Sequence, residues 1–249
     1  YFSSKKHLKL GQARNEAIKK SKGALIAFLD ADDIWLPDKL NQQVPEFNKT
    51  EVGLVICDTV FFNEKGLNKQ YYKNNKPPEG FVTEHLISNY FISLETLVIR
   101  RKALASLEYW FDKNFNVIEE FDLLIRLSFN WKLSYVDKIL AKWRIHKESW
   151  TWQYNHLFPA EKGIMIKKYI NEIEGFSQNY SREIKTLQEQ IDLELAIIDW
   201  ENNKQKSARK IIRKYSKKYL KWKILLCLTY LPFWIFKFIQ KLRGNIVPY

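Results

Sequence analysis

The sequence predicts an α/β protein with a helical C-terminal extension, and three observations carry that prediction. A six-residue apolar run, Ala24 to Leu29, stands between two helix-like stretches, as suits a strand buried on both faces inside a parallel sheet. A second apolar run, "VGLVICDTVFFN" at residues 52–63, supplies one or two further strands. From about Phe158 the apolar residues change to helical spacing. Ile184, Leu187, Ile191, Leu195 and Ile198 form one stripe, and Ala208, Ile211, Ile212, Tyr215 and Tyr219 another.

Taken in order, "GQARNEAIKKSKG" (11–23) predicts a short helix with Ala13, Ala17 and Ile18 on one face and Gly23 as its stop. After the strand "ALIAFLD", Pro37 opens a second helix, because proline is tolerated in a first turn. Residues 63–80 are polar and read as a loop. "FVTEHLISNYF" is helical, "SLETLVIRR" (93–101) a strand, and "EEFDLLIRLSF" (119–129) an amphipathic helix offering Phe121, Leu124, Ile125 and Leu127 to a core. "KLSYVD" and "LAKWRIH" end the α/β part, which places the domains at 1–157 and 158–249.

Composition narrows the function. The 249 residues, 46% hydrophobic, suffice for a real core. Two cysteines 170 positions apart, Cys57 and Cys227, and four histidines without zinc spacing point away from disulfide and zinc scaffolds. The net charge of +13 is concentrated after residue 200, where thirteen Lys or Arg face one acidic residue. That basic tail runs beside aliphatic stretches rather than along a polar groove, which argues against nucleic acid as a partner.

The apolar run at 24–29 delivers Asp30, Asp32 and Asp33 to its C-terminal end. In open α/β sheets ligands bind outside that end of the strands, and clustered carboxylates there need a cation or a partner. Oxygen ligands suit Mg²⁺ or Mn²⁺, which keep positions open for phosphate oxygens. The blander alternative is a capped turn, with Asp33 or Asp38 capping the following helix. An EF-hand loop is excluded, because Trp35 and Asn41 stand where that loop needs Gly and Glu.

The surrounding pattern decides between these. The stretch with Gly11, Ala13, Arg14, Asn15, Gly23, Asp30, Asp32, Asp33, Trp35, Pro37 and Leu40 resembles the central signature of family 2 glycosyltransferases. "EEFDLLIRL" is similar to that family's Glu-Asp-x-Asp-Leu-x-x-Arg block, through Glu119, Glu120, Asp122, Leu123 and Arg126, and "LAKWRIHKESWT" to its closing Arg-x-His segment, through Arg144 and His146. The resemblance covers about residues 8–152. It implies a GT-A fold, a three-layer sandwich with a mixed sheet. It also implies inverting transfer of a sugar from a nucleotide-diphosphate donor, such as a UDP-sugar, to a hydroxyl acceptor. Asp30 then contacts the donor, Asp32 and His146 hold Mn²⁺ or Mg²⁺, and Arg14, Asn15, Asp33 and Arg144 line the donor site. Glu120 matches the family's catalytic Asp; the longer side chain matters, because a 1 Å misplacement costs on the order of 10²-fold. Asp122 is the fallback base, and Glu119 and Asp122 equally suit helix-dipole stabilisation. The family's first strand and its base-binding Asp-Asp-x-Ser/Thr-x-Asp loop have no counterpart here. The resemblance therefore implies a chain lacking its N-terminal portion and inactive alone.

Residues 217–243 contain a charge-free run from Ile224 to Phe236, interrupted by Pro232. As a helix it spans about 20 Å against roughly 30 Å of hydrocarbon, too short to cross a bilayer. Its flanking lysines and tryptophans suit an interfacial helix on anionic lipid; a core helix packed on the catalytic domain is the alternative. The expectation is thus a cytoplasmic enzyme, peripheral on the inner face of the plasma membrane, acting on a lipid-linked or cell-envelope glycan. A non-catalytic nucleotide-sugar-binding or membrane-scaffold relative is the competing reading, supported by Glu120.

Overall fold

The computed structural model describes residue 3 and residues 7–243. The chain forms two compact units, residues 1–146 and 147–249.

The first unit is built on a mixed sheet of six strands: β1 Leu25–Ala27, β2 Ile34–Trp35, β3 Val52–Phe62, β4 Asn68–Gln70, β5 Val98–Arg100 and β6 Lys132–Arg144. Their order is β1-β5-β3-β6-β2, with β4 paired to β3 off that path. β3 and β6 run parallel, and every other pairing is antiparallel. Helices α1 Leu10–Lys20, α2 Lys39–Gln43, α3 Thr83–Ser88, α4 Arg101–Ala105 and α5 Glu119–Ser128 flank it, with 3₁₀ turns at Val44–Asn48 and Leu94–Thr96.

β3 is the centre of the core. Leu54, Val55, Ile56 and Cys57 are all inaccessible, so both faces are covered and the strand shows no polar alternation. The inward face of α5 adds Leu124, Ile125 and Leu127, each fully buried. The expectation of a strand buried on both faces at 24–29 is corrected: β1 is three residues long, pairs antiparallel with β5, and buries only Ile26. Among the described residues β5 is its one neighbour in the sheet. The stretch 93–101 is likewise part turn and part strand, since Leu94–Thr96 coils before β5 begins. The polar 63–80 segment contains β4, which folds back on β3 as a hairpin around Gly66, whose φ of 87° lies in the left-handed region open to glycine. α1 stops at Lys20 rather than at Gly23, its last turn closed by the Ser21 amide on Ala17 and Ile18 carbonyls.

A buried polar network seats α2 on the sheet. Lys39, 1% exposed, donates from Nζ to Gln43 Oε1 at 2.7 Å, one helical turn on, and lies 4.5 Å from the Trp35 ring centroid. Gln43 Nε2 passes the chain of bonds to the carbonyls of Thr96 (2.8 Å) and Val55 (3.2 Å). This fixes the 94–96 turn against β3, and burial brings the Lys39 amine down to about 8.

The second unit is helical: α6 Trp150–Gln153, α7 Phe158–Glu172, α8 Phe176–Asn179, α9 Ser181–Glu201, α10 Gln205–Ser216, α11 Leu220–Leu228 and α12 Phe233–Leu242. α9 packs against α7 and α10, and α10 against α11. The inward stripe of α9 runs through Leu187, Ile191, Ala196 and Trp200, while Leu195 of the expected stripe is 38% exposed. Trp200 anchors the far end: its ring meets Phe233 and Phe236 at 5.2 and 5.1 Å, and its Nε1 donates to the Leu231 carbonyl. Ala208, Ile212, Trp222 and Leu225 complete that core. The run 224–236 is therefore two helices, parted at Thr229–Pro232, and it packs on α9 and α10. Among the described residues no helix is long and apolar enough to cross a membrane.

Gly53 in β3 faces the Trp131 ring so closely that a Cβ there would sit 2.6 Å from Trp131 Cβ and 2.8 Å from Cγ. Gly53→Ala is expected to cost about 1–3 kcal/mol through overpacking, read from guanidinium unfolding; an unchanged midpoint would show that the Trp131 contact is slack.

Candidate active site

The aspartate turn follows β1 and leads into β2. It is closed by the Asp33 amide donating to the Asp30 carbonyl at 3.1 Å. β2 then pairs with β6, placing Ile34 opposite Lys142 and Trp35 opposite Ala141. That register brings the end of β6 over the turn, more than a hundred residues away in sequence. The Arg144 amide donates to Asp33 Oδ1 and its Nε to the Asp32 carbonyl, both at 2.9 Å, while its guanidinium stacks 4.5 Å from the Phe62 ring. His146 Nε2 lies 2.7 Å from Asp32 Oδ2.

Asp32 and His146 thus stand together as the sequence pattern expects, with 41% and 35% of their side chains exposed. Among the described residues no three His, Cys, Asp or Glu side chains converge to hold a metal. An oxygen and an imidazole nitrogen on an open surface nevertheless fit Mn²⁺ or Mg²⁺, which take their remaining ligands from phosphate and water. Asp33 sits deeper. Burial, offset by the Arg144 amide and reinforced by Glu95, Asp32 and Asp30, pushes its carboxyl up to about 8.

The second half of the site is the first turn of α5. Gly11 lets α1 approach it: a Cβ at Gly11 would lie 3.1 Å from both Glu119 Cγ and Phe111 Cβ. From α1 the Arg14 guanidinium, 9% exposed, reaches three carboxylates. Its Nη1 meets Glu119 Oε1 at 3.0 Å and Glu120 Oε2 at 3.3 Å, and its Nη2 meets Asp30 Oδ1 at 3.3 Å. Glu120 keeps 26% of its side chain exposed. Burial nonetheless raises its carboxyl to about 8 against the pull of Arg14, with Glu119, Asp30 and Glu95 adding to the rise.

Several expected site residues carry structural work here. Asn15 donates from Nδ2 to the Phe111 carbonyl (2.8 Å) and accepts the Phe111 amide on Oδ1 (3.0 Å), so its amide anchors the loop ahead of α5. Asp122, the fallback base, is fully buried and bound to Arg126 at 2.7 Å. Arg126 in turn donates to the carbonyls of Tyr109 and Trp110 and lies over the Tyr109 ring. Glu119 is buried against Arg14. Of the three acids in this turn, Glu120 is the one left partly open.

One residue escaped the sequence reading: Glu95. Glu95 is 3% exposed, and its charge acts on Asp33 and Glu120. Reading 93–101 as a plain strand hid it; a glutamate inside an otherwise apolar buried stretch was the available signal.

The model of the family described as glycosyl transferase family 2 matches residues 1–107. An uncharacterized glycosyltransferase of Methanocaldococcus jannaschii is 28% identical over 152 residues, 58% of this chain and 50% of that protein. The Escherichia coli protein WfgD, named UDP-Glc:alpha-D-GlcNAc-diphosphoundecaprenol beta-1,3-glucosyltransferase, is 30% identical over 92 residues, 37% of this chain and 35% of that protein. The chain therefore matches half or less of each relative's length. Among solved structures, residues 1–349 of S. aureus TarS superpose with a TM-score of 0.47 at 16% identity, covering 84% of this chain and 71% of that one.

Arg14→Gln leaves Asp30, Glu119 and Glu120 facing one another without their shared cation. Breaking such a pairing is expected to cost about 3–5 kcal/mol, and more at pH 8 than at pH 5, because Glu120 loses its proton as pH rises through about 8. Denaturant unfolding at the two pH values checks both statements; a loss independent of pH removes the electrostatic explanation.

Proposed function

We propose that this chain, whose residues 1–107 match the model of glycosyl transferase family 2, carries the reacting half of an inverting, metal-assisted transferase. It moves a sugar from a nucleotide diphosphate to a hydroxyl acceptor. The observation that supports this best is the meeting of two acidic elements, the Asp30–Asp33 turn and the first turn of α5, across the single guanidinium of Arg14. One element suits the diphosphate and the other the incoming hydroxyl.

In this reading Glu120 takes the acceptor proton. A carboxyl whose proton affinity burial has raised toward working pH is a stronger base than an ordinary glutamate, and still ionises there. Arg14 orients Glu120 and holds its negative form. Asp30, 47% exposed beside Arg14, faces the donor. Asp32 and His146 are the pair to hold Mn²⁺ or Mg²⁺, whose chemistry is to offset the charge growing on a departing diphosphate. Arg144 keeps the turn in place through Asp32 and Asp33. The glutamate in the family's aspartate position favours a second reading, a relative that binds nucleotide sugar without turning it over.

The name of the E. coli relative WfgD gives a UDP-glucose donor and an undecaprenyl-diphosphate-linked acceptor. A UDP-sugar and a lipid-linked glycan are accordingly the partners proposed here, at the cytoplasmic face of the plasma membrane. The tail supports that setting. Trp234, Phe238 and Leu242 follow at i, i+4 and i+8 along α12, and Leu220 and Ile224 do so on α11, all more than half exposed. Lys221, Lys223, Lys241 and Arg243 flank them. An apolar stripe bordered by cations matches an anionic lipid surface.

In the intact protein, Glu120→Gln is expected to abolish Mn²⁺-dependent release of nucleoside diphosphate. The wild-type rate should climb with pH and level off near 8; a flat profile between pH 6 and 9 would refute Glu120 as the base. A scaffold would tolerate the substitution. For the tail, Trp234→Ser with Phe238→Ser should weaken flotation with anionic vesicles roughly ten-fold or more, with little change on neutral ones. Equal flotation of variant and wild type would dismiss the lipid contact.

A further inference from the structure

The second unit holds a groove that the proposed reaction leaves unused. It lies between the start of α10 and the Thr229–Pro232 turn that parts α11 from α12. Its volume of about 570 Å³ falls within the range of about 300–1,000 Å³ that small-ligand pockets occupy. Asn203, Gln205 and Arg209 come to it from the start of α10 and the turn ahead of it, and Tyr230, Phe233 and Trp234 from the other segment. Of the lining residues Arg209 alone is charged.

Arg209 is held in place without being neutralised. Its Nη1 donates to the Thr229 carbonyl at 3.1 Å, and its guanidinium lies 4.4 Å from the Tyr230 ring centroid. Thr229 is itself fixed, its amide donating to the Leu225 and Leu226 carbonyls and its hydroxyl to Leu226. Among the described residues no carboxylate pairs with Arg209, whereas Arg14 meets three and Lys237 is paired with Glu201 at 2.8 Å. The first turn of α10 carries no acid either. A half-buried guanidinium anchored through one donor keeps the rest of its planar fork for a ligand, and that fork matches phosphate oxygens. Thirteen Lys or Arg against one acid after residue 200 add a field that draws anions toward it.

We infer that this groove binds the phosphate of an anionic phospholipid headgroup, with Arg209 as its ligand, an inference that rests on the lipid-surface reading of the tail above. Trp234 belongs to two features at once: it lines the groove, and it heads the exposed stripe of Trp234, Phe238 and Leu242 along α12. A molecule with a phosphate at one end and acyl chains at the other fits that succession of surfaces. A free phosphate would leave the stripe bare. Tyr230 and Trp234, each about two-thirds exposed, carry the amphipathic rings that settle at headgroup depth. The amides of Asn203 and Gln205 offer donors and acceptors to the remaining phosphate and glycerol oxygens. A diffuse basic surface responds to net charge alone, whereas a built headgroup site responds to the shape of its cation.

Three variants of the intact protein test this. Arg209→Lys keeps the charge and removes the fork, Gln205→Glu brings an acid into the lining, and Lys210→Gln removes an exposed cation outside the groove. Binding is read by flotation with vesicles of equal parts phosphatidylcholine and phosphatidylglycerol, and with phosphatidylcholine alone. Dihexanoyl phosphatidylglycerol, dispersed as single molecules, and inorganic phosphate are titrated calorimetrically, and thermal midpoints are recorded without lipid. Arg209→Lys is expected to weaken binding of the mixed vesicles and of the short-chain lipid roughly ten-fold. Gln205→Glu should do the same while its midpoint holds or rises, because an acid in a first helical turn is stabilising. Lys210→Gln, which alters net charge as much as Gln205→Glu, should have a clearly smaller effect. Where Arg209→Lys lowers the midpoint, the contrast between Gln205→Glu and Lys210→Gln decides. Arg209→Lys binding like wild type, with Gln205→Glu no weaker than Lys210→Gln, overturns the inference and leaves a diffuse lipid contact. Inorganic phosphate binding as tightly as the short-chain lipid overturns the assignment to phospholipid. A wild type that floats with neither vesicle removes the lipid-surface reading and this inference with it.

Discussion

The guanidinium of Arg14 is the constraint on which the first unit's chemistry turns. It is nearly buried and spans Asp30 on one side and Glu119 and Glu120 on the other. Without a cation between them, three carboxylates could not share so small a space in ionised form. With it, a turn after the first strand and the start of a helix about ninety residues later are held at one distance. Gly11 makes the arrangement sterically possible, since any side chain there would press on Glu119 and Phe111.

Around that hub the protein divides its acids by burial rather than by type. Asp122 is fully enclosed and spent on Arg126, whose other bonds pin the main chain at Tyr109 and Trp110. Glu120, two positions earlier on the same helix, retains access to solvent and a raised proton affinity. Asp33 is tied to the Arg144 main chain, while Asp32 next to it remains open beside His146. Each open acid is thus backed by a closed neighbour that fixes its main chain, and positional precision of this kind is what acid–base and electrophilic catalysis require.

The second unit solves a different problem. Its chain must place a strongly apolar, basic stretch somewhere, and it does so by splitting the stretch at Pro232 and folding both halves onto Trp200. This buries Trp222, Leu225 and part of Phe233 and Phe236, yet leaves Trp234, Phe238 and Leu242 outside. Two short helices cannot cover both of their faces with one another, so the surplus apolar face stays exposed.

Local patterns told much of this in advance. An acidic first turn on an amphipathic helix and helical spacing after Phe158 depend on residues close in sequence and appear where expected; the apolar run before the three aspartates also yields a strand, but a shorter and less buried one than its composition suggests. The family resemblance assigned Asp32 and His146 to one metal ion, and the fold sets the two side chains 2.7 Å apart across 114 positions. What stayed hidden depends on register and depth. That β1 pairs antiparallel beside β5, that Asn15 bonds Phe111, that Asp122 is sealed by Arg126, and that Glu95 lies buried follow from which strands meet and which faces they cover. The identities of the acids were written in the chain; their exposure, partners and proton affinities were settled only once long-range packing had excluded water from some of them and left others within its reach.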